Sequence, residues 1–203
     1  MTATVEAIQR ELTAHLRSRT EWDEQPALFT LHRADGEAVR LVRVPIPDDV
    51  WTTIGHPPTA VTAVAHLALR IPRHTNGSHL LAMPGAGQLI GAAFRYEAYE
   101  ISVDSDHPAA REAARRRKAG GSTPHFEHIP GRVEQRCMTA VDVDGGRYLA
   151  SIDRIDESRP EAAEPKTAYL AFSDPNRDGL TGNVVDVTNR FLNAIKPVGA
   201  ERR

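Results

Sequence analysis

Between Gln88 and Val103 the side chains alternate over a longer run than anywhere else in the chain. Ile90, Ala92, Phe94, Tyr96 and Ala98 fall on one side, and Arg95, Glu97, Tyr99 and Ile101 on the other. A period of two is the pattern of a pleated strand. A strand of this length needs partners, because a lone ribbon is marginal in water. A second alternating run, Arg132 to Asp144, puts Val133, Cys137, Val141 and Val143 on one side, and Arg147 to Ile155 returns after Gly145-Gly146. A two-residue Gly-Gly turn joins antiparallel neighbours, since a parallel crossover takes about a dozen residues or more. Thr167 to Phe172 adds a further strand.

Upstream, Leu28–His32 and Val39–Val44 flank Arg33-Ala34-Asp35-Gly36-Glu37, a hairpin with Asp-Gly at its turn. Helical spacing appears in four places. Val5, Ile8, Leu12 and Leu16 form the apolar stripe of a helix over about 4–19, with Thr4 as N-cap. Asp48-Asp49 lead into a short helix containing Val50, Trp51 and Ile54, where acids suit the positive end of the dipole. Thr59 to Ile71 is apolar on most sides through Val61, Val64, Ala65 and Ala68, which predicts a buried helix stopped by Pro72. The last helix spans about Thr181 to Lys196, with Val184, Val187, Phe191 and Ile195 inward.

This order lacks the regular strand–helix alternation of parallel sheets. It predicts an α+β fold: an antiparallel meander sheet with an N-terminal helix, a central buried helix and a C-terminal helix packed on it. With 203 residues, 40% of them apolar before glycine is counted, the chain can bury one core, so residues 1–203 are expected to form one domain. Two segments are expected to be looser: a flexible Arg-rich insertion at about 104–131 and a Pro/Glu-rich loop at about 157–166.

Composition removes several classes. The single cysteine, Cys137, allows neither an intramolecular disulfide nor a cysteine zinc site. Its place among core-facing valines predicts a buried, inert thiol. No run approaches the roughly 18 apolar residues of a membrane span, and Glu6, Arg10 and Glu11 break up any signal-peptide core. A cytoplasmic protein is the expectation, or a virion protein if phage-encoded. A net charge of −2 argues against a wholly basic nucleic-acid binder. The chain has no phosphate-binding Gly-rich loop, nucleophile elbow or dinucleotide fingerprint, so no cofactor is expected.

Three stretches carry a resemblance: Gly91-Ala92-Ala93-Phe94-Arg95-Tyr96-Glu97-Ala98-Tyr99, Arg132-Val133-Glu134-Gln135-Arg136, and Ala140-Val141-Asp142-Val143-Asp144-Gly145 followed by Tyr148. Over roughly residues 27–156 the chain resembles small uncharacterised α+β proteins of actinobacteria and of their phages or mobile elements. The resemblance implies an α+β fold and an actinobacterial origin. That group has no established activity, so no catalytic role comes with it.

Four constellations could carry chemistry. Asp174-Pro175-Asn176-Arg177-Asp178-Gly179 opens like a calcium loop, with Asp174, Asn176 and Asp178 as oxygen ligands. The twelfth position is Val185, where calcium requires a bidentate Glu, so a strand-to-helix turn is the simpler reading. His125-Phe126-Glu127-His128 offers two imidazoles, His125 and His128, to a transition metal, but no spacing fixes a third ligand. Glu97, Glu134 and Asp142 could serve as acid and base if their strands pair, though cross-strand ion pairs with Arg95 and Arg136 are the commoner outcome. Finally, residues 107–136 hold seven cations against three acids, while residues 142–165 hold seven acids against three cations. Arg115, Arg116 and Arg117 could grip phosphates, yet no aromatic is interleaved in 111–118 for base stacking.

The expected function is therefore a non-catalytic macromolecule-binding or assembly protein, of the kind that serves a phage or mobile element. A protein partner or self-association is expected, with nucleic acid as a further class and no membrane. The contact surfaces are the Arg-rich segment and the sheet face around Tyr96, Glu97 and Tyr99, since Tyr and Arg are enriched at interface hot spots. The alternatives are a hydrolase using the carboxylate cluster and a nucleic-acid binder using the Arg-rich segment.

Overall fold

A computed structural model of the chain describes residues 3–33, 38–70, 87–121, 125–154, 164–170 and 183–196. The Asp35-Gly36 turn, most of the 157–166 loop and the Asp174–Gly179 loop lie outside these residues. In chain order the elements are α1 (Ala3–Arg17), β1 (Ala27–Arg33), β2 (Val39–Arg43), α2 (Asp48–Thr53), α3 (Pro57–Arg70), β3 (Gln88–Glu100), α4 (Pro108–Lys118), β4 (Val133–Asp142), β5 (Arg147–Asp153), β6 (Lys166–Leu170) and α5 (Asn183–Ile195). A single 3-10 turn, Phe126–His128, lies between α4 and β4. The strands form one sheet, β2-β1-β3-β4-β5-β6, antiparallel at every pairing. The expected α+β meander is the architecture observed.

Helices cover both faces of this sheet. The α1 stripe of Val5, Ile8, Leu12 and Leu16 packs on Phe29, Leu31, Ala93, Met138, Ala140, Tyr148 and Ala150. Burying each large apolar side chain contributes roughly 1.5–3 kcal/mol, which outweighs the weak intrinsic stability of so short a helix. On the other face α2, α3 and α5 cover Leu28, Ala92, Phe94 and Val141 through Trp51, Val61, Ala65, Val185, Phe191 and Leu192. Trp51, Phe94 and Tyr96 stack in sequence, with ring centroids 6.0 and 5.5 Å apart. The α3 helix starts at Pro57 rather than Thr59, because a proline in the first turn gives up an N–H that has no helical partner there. Thr4 lies inside α1 rather than capping it, and its hydroxyl accepts from Arg33 Nη2 at 2.8 Å. The 104–131 segment carries α4, whose Ala110 and Ala113 pack on Ile129, Ile101 and Phe126 as a small separate cluster. No helix among the described residues is long and apolar enough to cross a membrane.

The alternation of β3 breaks once. Leu31 pairs with Gly91 but His32 pairs with Leu89, so Ile90 is an extra residue in β3. It turns Ile90 onto the α1 face, opposite Ala92, where uninterrupted alternation had put both together. Gly91 lets the strands close here, since a Cβ on it would lie 2.5 Å from the Val141 carbonyl oxygen.

The β4–β5 hairpin is held by Asp142, not by its glycines alone. The buried Asp142 carboxylate accepts from Asp144 N (3.0 Å), Gly146 N (2.6 Å) and the Tyr148 hydroxyl (2.5 Å). Gly145 takes φ 90°, and a Cβ on Gly146 would lie 2.4 Å from the Asp142 carboxylate. Asp142, expected as a candidate acid–base residue, is thus the organiser of a turn. Asp142→Ala leaves the Tyr148 hydroxyl buried without this acceptor and should cost roughly 2–4 kcal/mol in urea unfolding. A loss under about 0.5 kcal/mol would contradict this role.

Candidate functional site

The α1 face becomes polar toward the end of β3 and the start of β4. Glu97 pairs directly across from Arg136, and Tyr99 from Glu134. Arg95 and Arg136 lie almost wholly buried, and a buried guanidinium needs hydrogen-bond acceptors. The connection from Ser18 to Pro26 supplies them. Arg136 donates to the Arg19 carbonyl (3.1 Å) and to Glu97 Oε1 (3.3 Å). Arg95 donates to the Gln25 carbonyl (3.0 Å) and pairs with Glu24, which also pairs with Arg19. The Asp23 N–H donates to Glu97 Oε2 at 2.9 Å, with Asp23 in the left-handed region at φ 62°. This connection is a strap tied over the charged end of the sheet.

Burial pushes the Glu24 carboxyl up, but Arg19 and Arg95 outweigh it and hold Glu24 below the ordinary carboxylate range. Burial pushes the Arg95 guanidinium down, against the pull of Glu24. His15, at the end of α1, packs edge-on against Phe29 at 5.0 Å, and its buried Nε2 has no hydrogen-bond partner among the described residues. Burial, with Arg95, Arg19 and Arg136 nearby, lowers its pKa to about 4, although Glu24 opposes the shift.

On the strap and beyond it, the same end of the sheet places arginines over aromatic rings. The Arg136 and Arg154 guanidinium carbons lie 4.6 and 5.3 Å from the centre of the Trp22 ring. Arg132 lies 5.0 Å over Tyr99, and Arg117, in the last turn of α4, lies 5.0 Å over Phe126. The last two stacks are joined through one turn of backbone: Arg132 Nη1 donates to the Ile129 carbonyl (3.4 Å), and Ile129 N–H to the Phe126 carbonyl (3.0 Å). Three aromatics distant in sequence thus line one rim, each beneath an arginine.

The fold sorts the expected site residues into separate places. Glu97 and Glu134 come together with Asp23, and these are the one group of three metal-ligand types among the described residues. Arg154 sits among them, 2.9 Å from Glu134 and 3.6 Å from Asp23, and Arg136 holds Glu97. Asp142 lies eight residues along β4 from Glu134, about 26 Å at strand rise, and does not join them. Tyr96 points to the opposite face from Glu97 and Tyr99. Its hydroxyl is 3.2 Å from Thr139 Oγ1, and burial pushes it up to about 12. Cys137 is buried, and burial pushes its thiol up to about 12 as well. His125 and His128 stand on the 3-10 turn with rings 6.4 Å apart, both exposed. Arg115, Arg116 and Arg117 occupy the exposed last turn of α4, where Arg116 pairs with Glu112 at 2.9 Å. Sequence reasoning missed Trp22, Phe126 and Arg132 as a site. Their positions carry no shared spacing, and only the β3–β4 register and the strap bring them together.

Comparison of the chain with protein-family models, curated proteins and solved structures finds no match.

Two measurements test the strap. The unfolded chain takes up a proton at His15 near pH 6.5, whereas the folded protein resists until about 4. Stability from this group is therefore complete above pH 6.5 and lost as pH falls toward 4, by about 1–2 kcal/mol after allowance for partial solvent exposure. His15→Leu should flatten the slope of unfolding free energy across that window; an unchanged slope contradicts the assignment. Glu97→Ala strands the buried Arg136 and should cost about 3 kcal/mol in the same assay.

Proposed function

We propose that this chain is a non-catalytic macromolecule-binding protein that engages an acidic partner through the arginine rim and the last turn of α4. One observation carries this reading. Arg115, Arg117, Lys118 and Arg132 are exposed, have no carboxylate partner among the described residues, and are grouped around Phe126 and Ile129; Arg10, Arg40, Arg43 and Arg190 are exposed without one too, but are spread over α1, β2 and α5. The negative end of the α4 dipole favours cations in its last turn. It does not account for Arg132, which lies beyond that helix on the connection into β4. A cluster of unneutralised cations on a protein of net charge −2 is a local field suited to an acidic surface.

The hydrolase alternative has less support. Its carboxylates are already engaged: Glu97 by Arg136, Glu134 by Arg154 and Asp142 by the β4–β5 turn. A general base must be within reach of a substrate proton, and these groups face guanidiniums and backbone N–H groups instead. The acidic surface of another protein, the acidic stretch 142–165 of a second copy, and nucleic acid all fit the partner's chemistry.

Retention on a heparin column at pH 7.5 and about 0.1 M salt tests the reading, since net charge alone would repel the protein from this polyanion. The protein should be held, and the Arg115→Ala, Lys118→Ala double variant should elute at clearly lower salt with unchanged circular dichroism. Flow-through of the parent, or co-elution of parent and variant, would overturn it.

A further inference from the structure

We infer that the acidic partner is single-stranded nucleic acid, with bases stacked on the guanidinium planes of Arg117 and Arg132 while neighbouring cations hold the phosphates. The inference rests on the binding reading above and names its partner. It starts from how these two arginines are built into the fold. Each lies over an aromatic ring, Phe126 or Tyr99, at 5.0 Å from the ring centre. The ring backs the guanidinium on one side, the side chain is exposed, and a guanidinium is planar, so a face can be offered to a base. A long side chain held in this way loses less rotamer freedom on binding, so the platform is preorganised.

The supporting rings are themselves anchored. Phe126 packs against the small core beneath α4, formed by Ala110, Ala113 and Ile129. Tyr99 is fixed by the β3–β4 pairing opposite Glu134. His125 and His128 add two exposed rings to the turn between the platforms. Arg115 and Lys118 stand within one helical turn of Arg117 and supply charge without a stacking ring.

This combination separates the partner classes. An acidic protein surface needs cations, but not flat ones backed by rings. A duplex keeps its base faces stacked on one another, so it can use the phosphate contacts and leave the platforms empty. A single strand can use both, because aromatic rings and guanidinium planes accept unpaired bases whatever their sequence. The aromatics missing from residues 111–118 are supplied from elsewhere in the fold: Phe126 from the 3-10 turn and Tyr99 from β3.

Fluorescence anisotropy on the full chain decides the matter, with three labelled probes: a 20-nucleotide oligothymidylate, a 20-base-pair duplex and polyglutamate. The single strand should bind most tightly. The Arg117→Lys, Arg132→Lys double variant keeps the charge but removes the planes, and should weaken single-strand binding roughly tenfold or more with little effect on the duplex. Arg115→Ala with Lys118→Ala should instead flatten the log–log salt dependence for the single strand by about 1.4. Comparable binding of all three probes, unmoved by the lysine variant, would overturn the stacking inference and leave the polyanion reading standing. Preference for polyglutamate would do the same and point to an acidic protein. Failure to bind any probe would overturn both.

Discussion

Two guanidiniums, Arg95 and Arg136, are buried on the sheet face that α1 covers, and much of the surrounding structure answers to that placement. A charged group taken out of water is tolerated only when its hydrogen bonds are satisfied. Glu97 supplies one carboxylate from the adjacent strand, but one is too few for two arginines. The remaining acceptors come from the connection between α1 and β1: the carbonyls of Arg19 and Gln25 and the carboxylate of Glu24. The path of that connection is therefore dictated by the sheet beneath it. Its residue in the left-handed conformation, Asp23, is the one whose N–H reaches Glu97. The same arginines, with burial, keep the His15 ring neutral at the end of α1, while the apolar stripe holds that helix to the sheet.

This arrangement separates two kinds of arginine. Those in the strap are neutralised and serve the fold. Arg117 and Arg132, beyond it, lie over Phe126 and Tyr99 and have no carboxylate partner among the described residues. The distinction also weighs against reading Glu97 and Glu134 as an acid–base pair. In water the two carboxylates would repel, but here each faces a cation that belongs to the structure.

Local patterns carried most of the fold. The stripe of Val5, Ile8, Leu12 and Leu16, the period-two run of β3 and the paired glycines before β5 each specify an element, and the antiparallel order follows from the β1–β2 and β4–β5 hairpins and the lack of regular strand–helix alternation. The pattern failed at Ile90, because a bulge is a property of two strands together and one strand's alternation does not record it. It failed more completely at the rim. Trp22, Tyr99 and Phe126 lie on a strap, a strand and a 3-10 turn, and each meets an arginine from another part of the chain. In sequence Asp142 groups with Glu97 and Glu134 on the premise that their strands pair; they do, but its carboxylate turns back onto Asp144, Gly146 and Tyr148.

The pairing of Glu100 with Val133 closes the base of everything from Ile101 to Arg132. The two ends of that excursion lie about 5 Å apart, a gap that an ordinary hairpin turn can bridge. Its helix rests mainly on residues of the same excursion, Ile101, Phe126 and Ile129, rather than on the two large cores. The segment is therefore a cassette. The sheet can host a longer, shorter or wholly different insert at this point without a change in register, so descent with an altered binding surface requires no redesign of the scaffold.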